Sequence, residues 1–381
     1  MDKILLIHNN YRLQGGEDIA VKNELNLLKE NYEVKSIFFE NEIKNIYDVI
    51  SFLTFSNKSS NKKILDLVDE FQPDLVYFNN TWFKISLGIF KLLRKKNVKI
   101  LIKIHNFRYH CTKSFRAYVH LDNENYCSAC GFKKSKVNLI NKYYSNSLLK
   151  SIFATFFAKK YMKAIKDESI NLAVLTEFHK QFLTDNYSRK KNVFIIPNYI
   201  SSNHSTVNEE DYFTYAGRLS IEKGVYSLID SYLSSDLRNK VLKIIGDGPE
   251  LKNLKEKYKI NNIQFLGQLS NKETVDLISK SKAVLSATKL YEGQPTLLCE
   301  ASLNGKASLF PDSGGINEFL PTDYEFIFEQ FNYEDLKNKL NLLNNDNLRK
   351  TNALKAHKFI KLKLEKDNIL NQFNQIIDKD D

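Results

Sequence analysis

The sequence predicts an α/β protein built from two doubly wound parallel sheets, and three observations carry that prediction. Short apolar runs that stop in polar, often glycine-containing loops alternate with stretches whose apolar residues have helical spacing. This alternation recurs in a second series, and the polar segment from Ser201 to Asp211 looks like the connection between two domains. The length of 381 residues suits two domains at roughly 100–200 residues each.

The first series opens with KILLIHNN, an apolar run ending in a loop with Gln14, Gly15, Gly16, Glu17 and Asp18; Val21, Leu25, Leu27 and Leu28 then follow at helical spacing. The same grammar recurs as EVKSIFF, a helix near Ile64 to Phe71, PDLVYFNN, a helix near Ile85 to Leu93, and VKILIKIHN. The second series takes in NLAVLTE, a helix near Phe178 to Asp185 and NVFIIPNYI, and continues through DYFTYAGRLS, VLKIIGDG, IQFLG, AVLSATKL and KASLFPDS. Strands alternating with helices imply parallel sheets covered on both faces. We expect residues 1–200 to form one Rossmann-like domain with a cysteine-containing insertion at about 106–147, residues 201–350 a second, and residues 351–381 a helix and polar tail.

Composition narrows the function classes. Hydrophobic residues make up 43% and charged residues 27%, with only 13 Gly and 6 Pro, which excludes collagen-like and disordered chains. The net charge of +11 is uneven: residues 1–200 carry 32 basic and 19 acidic side chains (+13), the rest 24 and 26 (−2). Such asymmetry points to an anionic partner for the first half, a phosphorylated substrate, an acidic membrane surface or nucleic acid, with a solvated lysine-rich surface as the plain alternative. Four cysteines are too few for a disulfide scaffold. No stretch reaches the roughly 18–20 apolar residues of a spanning helix, and MDKILLIHNNYR turns polar too soon for a signal peptide. The expected location is the cytoplasm, including its membrane face.

The chemistry-bearing motifs cluster in the second series. Ala216-Gly217-Arg218-Leu219 is followed by Glu222-Lys223-Gly224, so two cations five residues apart after a strand can reach one diphosphate. Gly246-Asp247-Gly248-Pro249 and Phe265-Leu266-Gly267 end two further strands, where open α/β sheets bind ligands. In Tyr291-Glu292-Gly293-Gln294-Pro295-Thr296-Leu297-Leu298-Cys299-Glu300, a helix begun by Pro295 would offer the free amides of Thr296 and Leu297 to an anion. Glu292 would then stay in the loop and Glu300 would lie inside the helix. Ser313-Gly314-Gly315 with Glu318 supplies one more glycine turn.

In their order and approximate spacing, GRLSIEKG, GDGP, FLG, YEGQPTLLCEA and SGGINE resemble the retaining, nucleotide-sugar-dependent glycosyltransferases of family 4, which have the two-domain GT-B fold with a C-terminal helix crossing back. The resemblance implies a catalytic set of Arg218, Lys223, Glu292 and His105. Arg218 and Lys223 would hold the donor diphosphate, Glu292 would lie near the donor sugar and Glu300 on the ribose. Gly217, Gly246, Gly267, Gln294, Pro295, Thr296 and Leu297 would line the donor, with Gln268 and Leu269 beside the base. In the first half, Gly15 and Gly16 resemble the family's glycine pair, and His105, after VKILIK, its cleft histidine. Retaining members need no bound metal; the expected partners are a nucleotide diphosphate sugar, with UDP the default, and a polyprenyl-diphosphate-linked or glycan acceptor. The helix crossing back is expected at about Leu348 to Phe373.

Two local features suggest a branch within the family. Cys111 followed by Cys127-Ser128-Ala129-Cys130 looks like an insertion in surface-polysaccharide transferases of the capsule, O-antigen and exopolysaccharide type; the C-x-x-C spacing suits structural zinc. The branch's further cysteine, expected within Tyr143 to Ser147, is absent, so a full site would need His110 or His120, and reduced cysteines packing a loop are the alternative. The segment from Leu148 to Lys163 mixes bulky apolar residues with lysines, as an interfacial helix on anionic lipid does, or an amphipathic helix packed on its own sheet. A nucleotide-sugar epimerase on the same fold and a basic scaffold protein are competing readings. No zinc-finger or RNP signature supports nucleic acid as the partner.

Overall fold

A computed structural model describes residues 1–10, 16–40, 57–81, 85–111, 127–129, 147–201 and 208–379. The chain divides into two compact units, one formed by Met1–Ile200 with Leu364–Asp381, the other by Ser201–Lys363.

The first unit contains β1 (Lys3–Asn10), α1 (Gly16–Lys29), β2 (Glu33–Glu40), α2 (Lys58–Phe71), β3 (Leu75–Phe78), α3 (Ile89–Arg94) and β4 (Lys99–Ile104). It continues with α4 (Arg108–Cys111), α5 (Leu148–Lys166), β5 (Asn171–Val174), α6 (Glu177–Tyr187) and β6 (Val193–Ile195). Its six strands are parallel in the order β2-β1-β3-β4-β5-β6. The winding reverses between β1 and β3, and the two strand ends are tied there: the Asn9 amide donates to the Asn80 carbonyl at 3.0 Å, and Asn80 Nδ2 to the Asn9 carbonyl at 2.8 Å. The apolar runs read from sequence are buried through β1, β3 and β4, as a doubly covered sheet requires. Asn57 caps α2 by accepting from the Ser60 amide, and Thr176 caps α6 by accepting from His179.

The second unit contains β7 (Tyr212–Ala216), α7 (Val225–Leu233), β8 (Val241–Ile245), α8 (Leu251–Lys257), β9 (Ile263–Gly267), α9 (Asn271–Lys280) and β10 (Ala283–Leu285). It ends with α10 (Thr296–Leu303), β11 (Ala307–Asp312), β12 (Ile327–Glu329), α11 (Tyr333–Leu342) and α12 (Asp346–Lys363). These six strands are also parallel, ordered β12-β11-β10-β7-β8-β9, with the reversal between β7 and β10.

The stretch expected as one helix from Leu348 to Phe373 is two, α12 and α13 (Lys366–Ile377), parted at Leu364 and Glu365. No Pro or Gly forces the break; the two helices are held by different units. Arg349 of α12, 2% exposed, grips Glu209 with two bonds of 2.9 Å and Asp346 at 2.7 Å within the second unit. In α13, Ile369, Leu370, Phe373 and Ile376 enter the first unit's core among Ile4, Leu6, Val21, Leu25 and Tyr77. Phe373 meets Tyr77 edge to face at 5.3 Å. No helix among the described residues is long and apolar enough to cross a membrane.

Phe373 is fully buried, so Phe373→Ala is expected to destabilise the first unit by about 3–5 kcal/mol. Chemical denaturation followed by circular dichroism reads this as a lower midpoint for the transition that unfolds the first sheet.

Candidate active site

In the second unit the predicted residues lie along the carboxyl edge of one sheet, centred on the strand pair where the winding reverses. An open α/β sheet leaves a crevice at such a pair. The loops after β7, β8 and β9 are laced in a row: the Gly217 amide donates to the Ile245 carbonyl at 3.0 Å and the Gly246 amide to the Gly267 carbonyl at 2.7 Å. A Cβ on Gly246 would stand 2.0 Å from the Gly217 carbonyl, so only glycine permits this approach. Arg218 follows, exposed, and its side chain makes no hydrogen bond or ion pair among the described residues.

Across the reversal, Lys223 closes a single helical turn (Ile221–Lys223), and its Nζ lies 2.6 Å from Glu292 Oε1. Thr288 Oγ1 donates to the same oxygen at 3.1 Å. Both members of the pair keep some exposure, 29% for the lysine side chain and 22% for the glutamate, so a ligand can reach them. The Glu292 backbone is fixed by the loop after β11: it bridges Gly314, and its carbonyl accepts from the Gly315 amide at 2.9 Å. Gly314, at φ 62°, would place a Cβ 2.6 Å from the Glu292 carbonyl. The Lys289 amide donates to the Glu222 carbonyl at 2.9 Å, completing the tie between the β7 and β10 loops.

Pro295 is the residue before α10 and does not begin the helix as expected; Thr296 does. Its extended backbone, at ψ 90°, sets the chain outside the helical turn. The first helical bond runs from the Cys299 amide to the Pro295 carbonyl, so the amides of Thr296 and Leu297 stand ahead of it. Gln294 and Pro295 are buried, and Gln294 Nε2 faces Cys299 Sγ at 3.9 Å. Burial pushes the Cys299 thiol far above the usual range, so it is an inert packing group.

Glu300, half-buried on α10, meets among the described residues a single weak donor, Asn271 Nδ2 at 3.4 Å. Burial pushes its carboxyl up to about 7, the mark of an acceptor lacking strong donors. Asn271 opens α9 directly after the segment Gly267-Gln268-Leu269-Ser270, so Glu300 stands next to the stretch read as bordering the base. Gln268 is exposed and Leu269 half-buried.

The first unit holds the other residues that the resemblance singles out. Gly16 begins α1, and a Cβ there would meet nothing within 4 Å, so packing does not require glycine at that position. Gly15 lies outside the described residues. His105 follows β4 and lines a pocket with Glu17, Asn79, Asn80, Thr81, Lys103, Asn106, Tyr109 and Tyr161 among others. Burial, reinforced by the charge of Lys103 and by His8 and His179, holds the His105 ring well below the usual histidine range, so it is neutral.

Sequence reasoning missed what supports this histidine. Beneath it, Lys103 Nζ and Glu24 Oε1 form a fully buried pair at 2.7 Å, Tyr77 donates to Glu24 Oε2 at 2.7 Å, and Asn79 Oδ1 lies 3.0 Å from His105 Nε2. A lysine inside the apolar run VKILIK was the available signal, since a charge there needs a partner.

Of the cysteine loop, Cys127 is buried, while Cys130, His120 and the side chain of Cys111 lie outside the described residues. His110 Nδ1 is engaged with the Tyr187 hydroxyl. Among the described residues no group of three His, Cys, Asp or Glu side chains could hold a metal ion.

Comparison with known proteins bears on this arrangement. Residues 200–361 match the family model described as "Glycosyl transferases group 1". The uncharacterized glycosyltransferase MJ1069 of Methanocaldococcus jannaschii is 25% identical over 252 residues, which is 61% of this chain and 64% of that protein. The amylovoran biosynthesis glycosyltransferase AmsD of Erwinia amylovora is 30% identical over 140 residues, 34% of this chain and 40% of that protein. The chain thus spans less than two thirds of either relative. The structure of Anabaena Alr3699/HepE in complex with UDP-glucose superposes with a TM-score of 0.67 at 15% identity, covering 98% of this chain and 99% of that one. The chain therefore has the two-domain α/β fold of a GT-B protein, and the stretch of it that is similar to glycosyl transferases group 1 lies in its second unit.

Proposed function

We propose that the protein is a retaining glycosyltransferase that moves a hexose-type sugar from a nucleoside diphosphate sugar, UDP being the favoured nucleotide, to a growing surface polysaccharide carried on a polyprenyl-diphosphate lipid. The observation that carries this reading is the convergence of the β7, β10 and β11 loops on the Lys223–Glu292 pair, with Glu300 waiting for donors on the helix that follows. Support for the donor class comes from the group 1 match over residues 200–361 and the UDP-glucose held by the Anabaena protein. Support for the acceptor class comes from the similarity to AmsD, a glycosyltransferase of amylovoran biosynthesis.

In this reading Arg218 and Lys223 lie along the diphosphate and the α10 amides receive its oxygens, so positive charge meets the negative charge that grows as the leaving group departs. The bond between the anomeric carbon and the phosphate oxygen breaks with its electron pair going to the phosphate. The acceptor hydroxyl oxygen bonds to the same face of that carbon, and its proton passes to the departing phosphate oxygen. Glu292, held by backbone on both sides, steadies Lys223 and turns toward the donor sugar. Glu300 accepts from the ribose hydroxyls. No metal enters these steps.

The membrane face of the proposal rests on α5. Ala154, Phe157, Ala158, Met162 and Ile165 are buried against the first unit, whereas Leu149 is 68% and Phe156 48% exposed, with Lys159 Nζ 5.8 Å from the Phe156 ring. Outward apolar residues beside lysines suit the headgroup level of an anionic leaflet.

Lys223→Ala is expected to lower kcat by about 10²–10³, or about 2.7–4 kcal/mol, with an unchanged circular dichroism spectrum. The assay is acceptor-dependent release of nucleoside diphosphate, and near-normal turnover would remove Lys223 from the diphosphate.

Glu300 gives a prediction with a defined pH sense. Its carboxyl, at about 7 in the fold against 4.5 in the unfolded chain, takes up a proton on folding between those values. Its contribution to stability is therefore greatest at low pH and falls as pH rises through that window, by no more than about 3 kcal/mol. UDP binding needs the ionised form and should strengthen over the same rise. Glu300→Gln is expected to flatten both profiles, melting higher than the parent at pH 8 while losing most of the UDP-induced rise in Tm; a parent-like UDP response would overturn the ribose assignment.

A further inference from the structure

We infer that Asn79 is a positioning residue for His105: its amide donates to His105 Nε2, fixes the ring proton on Nδ1, and so makes His105 a hydrogen-bond donor toward the pocket. The inference rests on the proposed transfer reaction only for its consequence; the proton position stands on the geometry of the first unit. Asn79 is 4% exposed. Its Oδ1 lies 3.0 Å from His105 Nε2 and 3.4 Å from the Tyr77 hydroxyl, while its Nδ2 is buried with no hydrogen-bond partner. The two ends of a side-chain amide have the same shape and differ in the protons they carry, so the surrounding donors and acceptors decide which end faces inward.

The Tyr77 hydroxyl has one proton. Glu24 Oε2 takes it at 2.7 Å, and Glu24 is itself held by Lys103 Nζ at 2.7 Å. Burial and the Glu24 charge keep the Tyr77 phenol far above its usual range, so that proton stays in place. With the amide oxygen facing inward, two oxygens therefore meet at 3.4 Å with no proton between them, and both N–H donors of Nδ2 are stranded in a buried side chain. Turning the amide by 180° gives each N–H an acceptor, one the Tyr77 oxygen and the other His105 Nε2. A single carbonyl oxygen is then left unbonded, which costs less than two stranded donors. A neutral imidazole that accepts at Nε2 carries its proton on Nδ1. His105 Nδ1 has no partner among the described residues, and the residue lines the pocket.

The chemical consequence is directional. A donor N–H at that position seeks an oxygen acceptor, such as a sugar hydroxyl oxygen, and repels a group whose only offering is a proton. The buried chain Lys103–Glu24–Tyr77–Asn79 thus sets the polarity of a single nitrogen in the pocket.

The test is nitrogen-15 NMR of the labelled full-length protein at pH 8, with the His105 ring signals identified by their loss in His105→Gln. The wild type is expected to show the Nδ1–H tautomer. Asn79→Asp, which can only accept, is expected to move the proton to Nε2, and Asn79→Leu to give a mixture; circular dichroism and Tm establish that each variant is folded. An Nε2–H tautomer in the wild type, or a tautomer unchanged in folded Asn79→Asp, would overturn the inference. With the donor sugar nucleotide, Asn79→Asp is expected to raise KM more than tenfold; a parent-like KM would remove the role in substrate positioning. The NMR readout needs no substrate, so its failure leaves the transfer proposal intact, while an absence of any nucleotide binding would end that proposal and leave the tautomer assignment standing.

Discussion

A parallel sheet that winds first one way and then the other must open a crevice where the winding turns, and both units of this protein place their polar chemistry at that point. Every strand ends on the same edge, so every loop that could carry a charge emerges there too. In the second unit the turning point lies between β7 and β10, and the loops after β7, β10 and β11 meet at Glu292. In the first it lies between β1 and β3, where Asn9 and Asn80 lace the strand ends and Asn79 and His105 stand beside them. Neither cluster could form on an antiparallel sheet, whose loops are shared between two edges.

Charge is handled differently in the two clusters. Lys103 and Glu24 are wholly enclosed, and their partner bonds are what make a charged pair tolerable inside a β-sheet core. Lys223 and Glu292 are left partly open, so their pairing can be exchanged for a ligand's oxygens without exposing a buried charge. Glu300, on the helix after the β10 loop, has one weak donor among the described residues, and its perturbation has one dominant cause, burial. A group in that condition gains most from a ligand that brings hydroxyl protons to it.

The fold was largely legible because a doubly covered parallel strand has to be apolar along its whole length, and KILLIHNN, PDLVYFNN and VKILIKIHN are read directly from that demand. The close loop contacts were legible for a related reason: glycine is needed wherever two loops pass at close range, and Gly246 against Gly217 is such a place. The supporting residues were hidden. Asn79 and Tyr77 look like an ordinary strand end, and Glu24 like an ordinary helix surface, until the sheet order brings β3, β4 and α1 together. The division between α12 and α13 was equally hidden, because no local signal marks Leu364 and Glu365; what separates the helices is which core each one fills. Pro295 was misplaced by a single residue, within the margin that local preference leaves at a helix start.

That last helix also sets an order of events during synthesis. The second unit is continuous in sequence, so it holds all its parts once Lys363 has been made. The first unit is begun earliest yet finished last, since Ile369, Phe373 and Ile376 close a core whose other members were translated more than 160 residues before. Until that helix has been made and has left the ribosome, the older sheet must wait with an apolar face uncovered, and chaperone protection during translation would fall on the first unit.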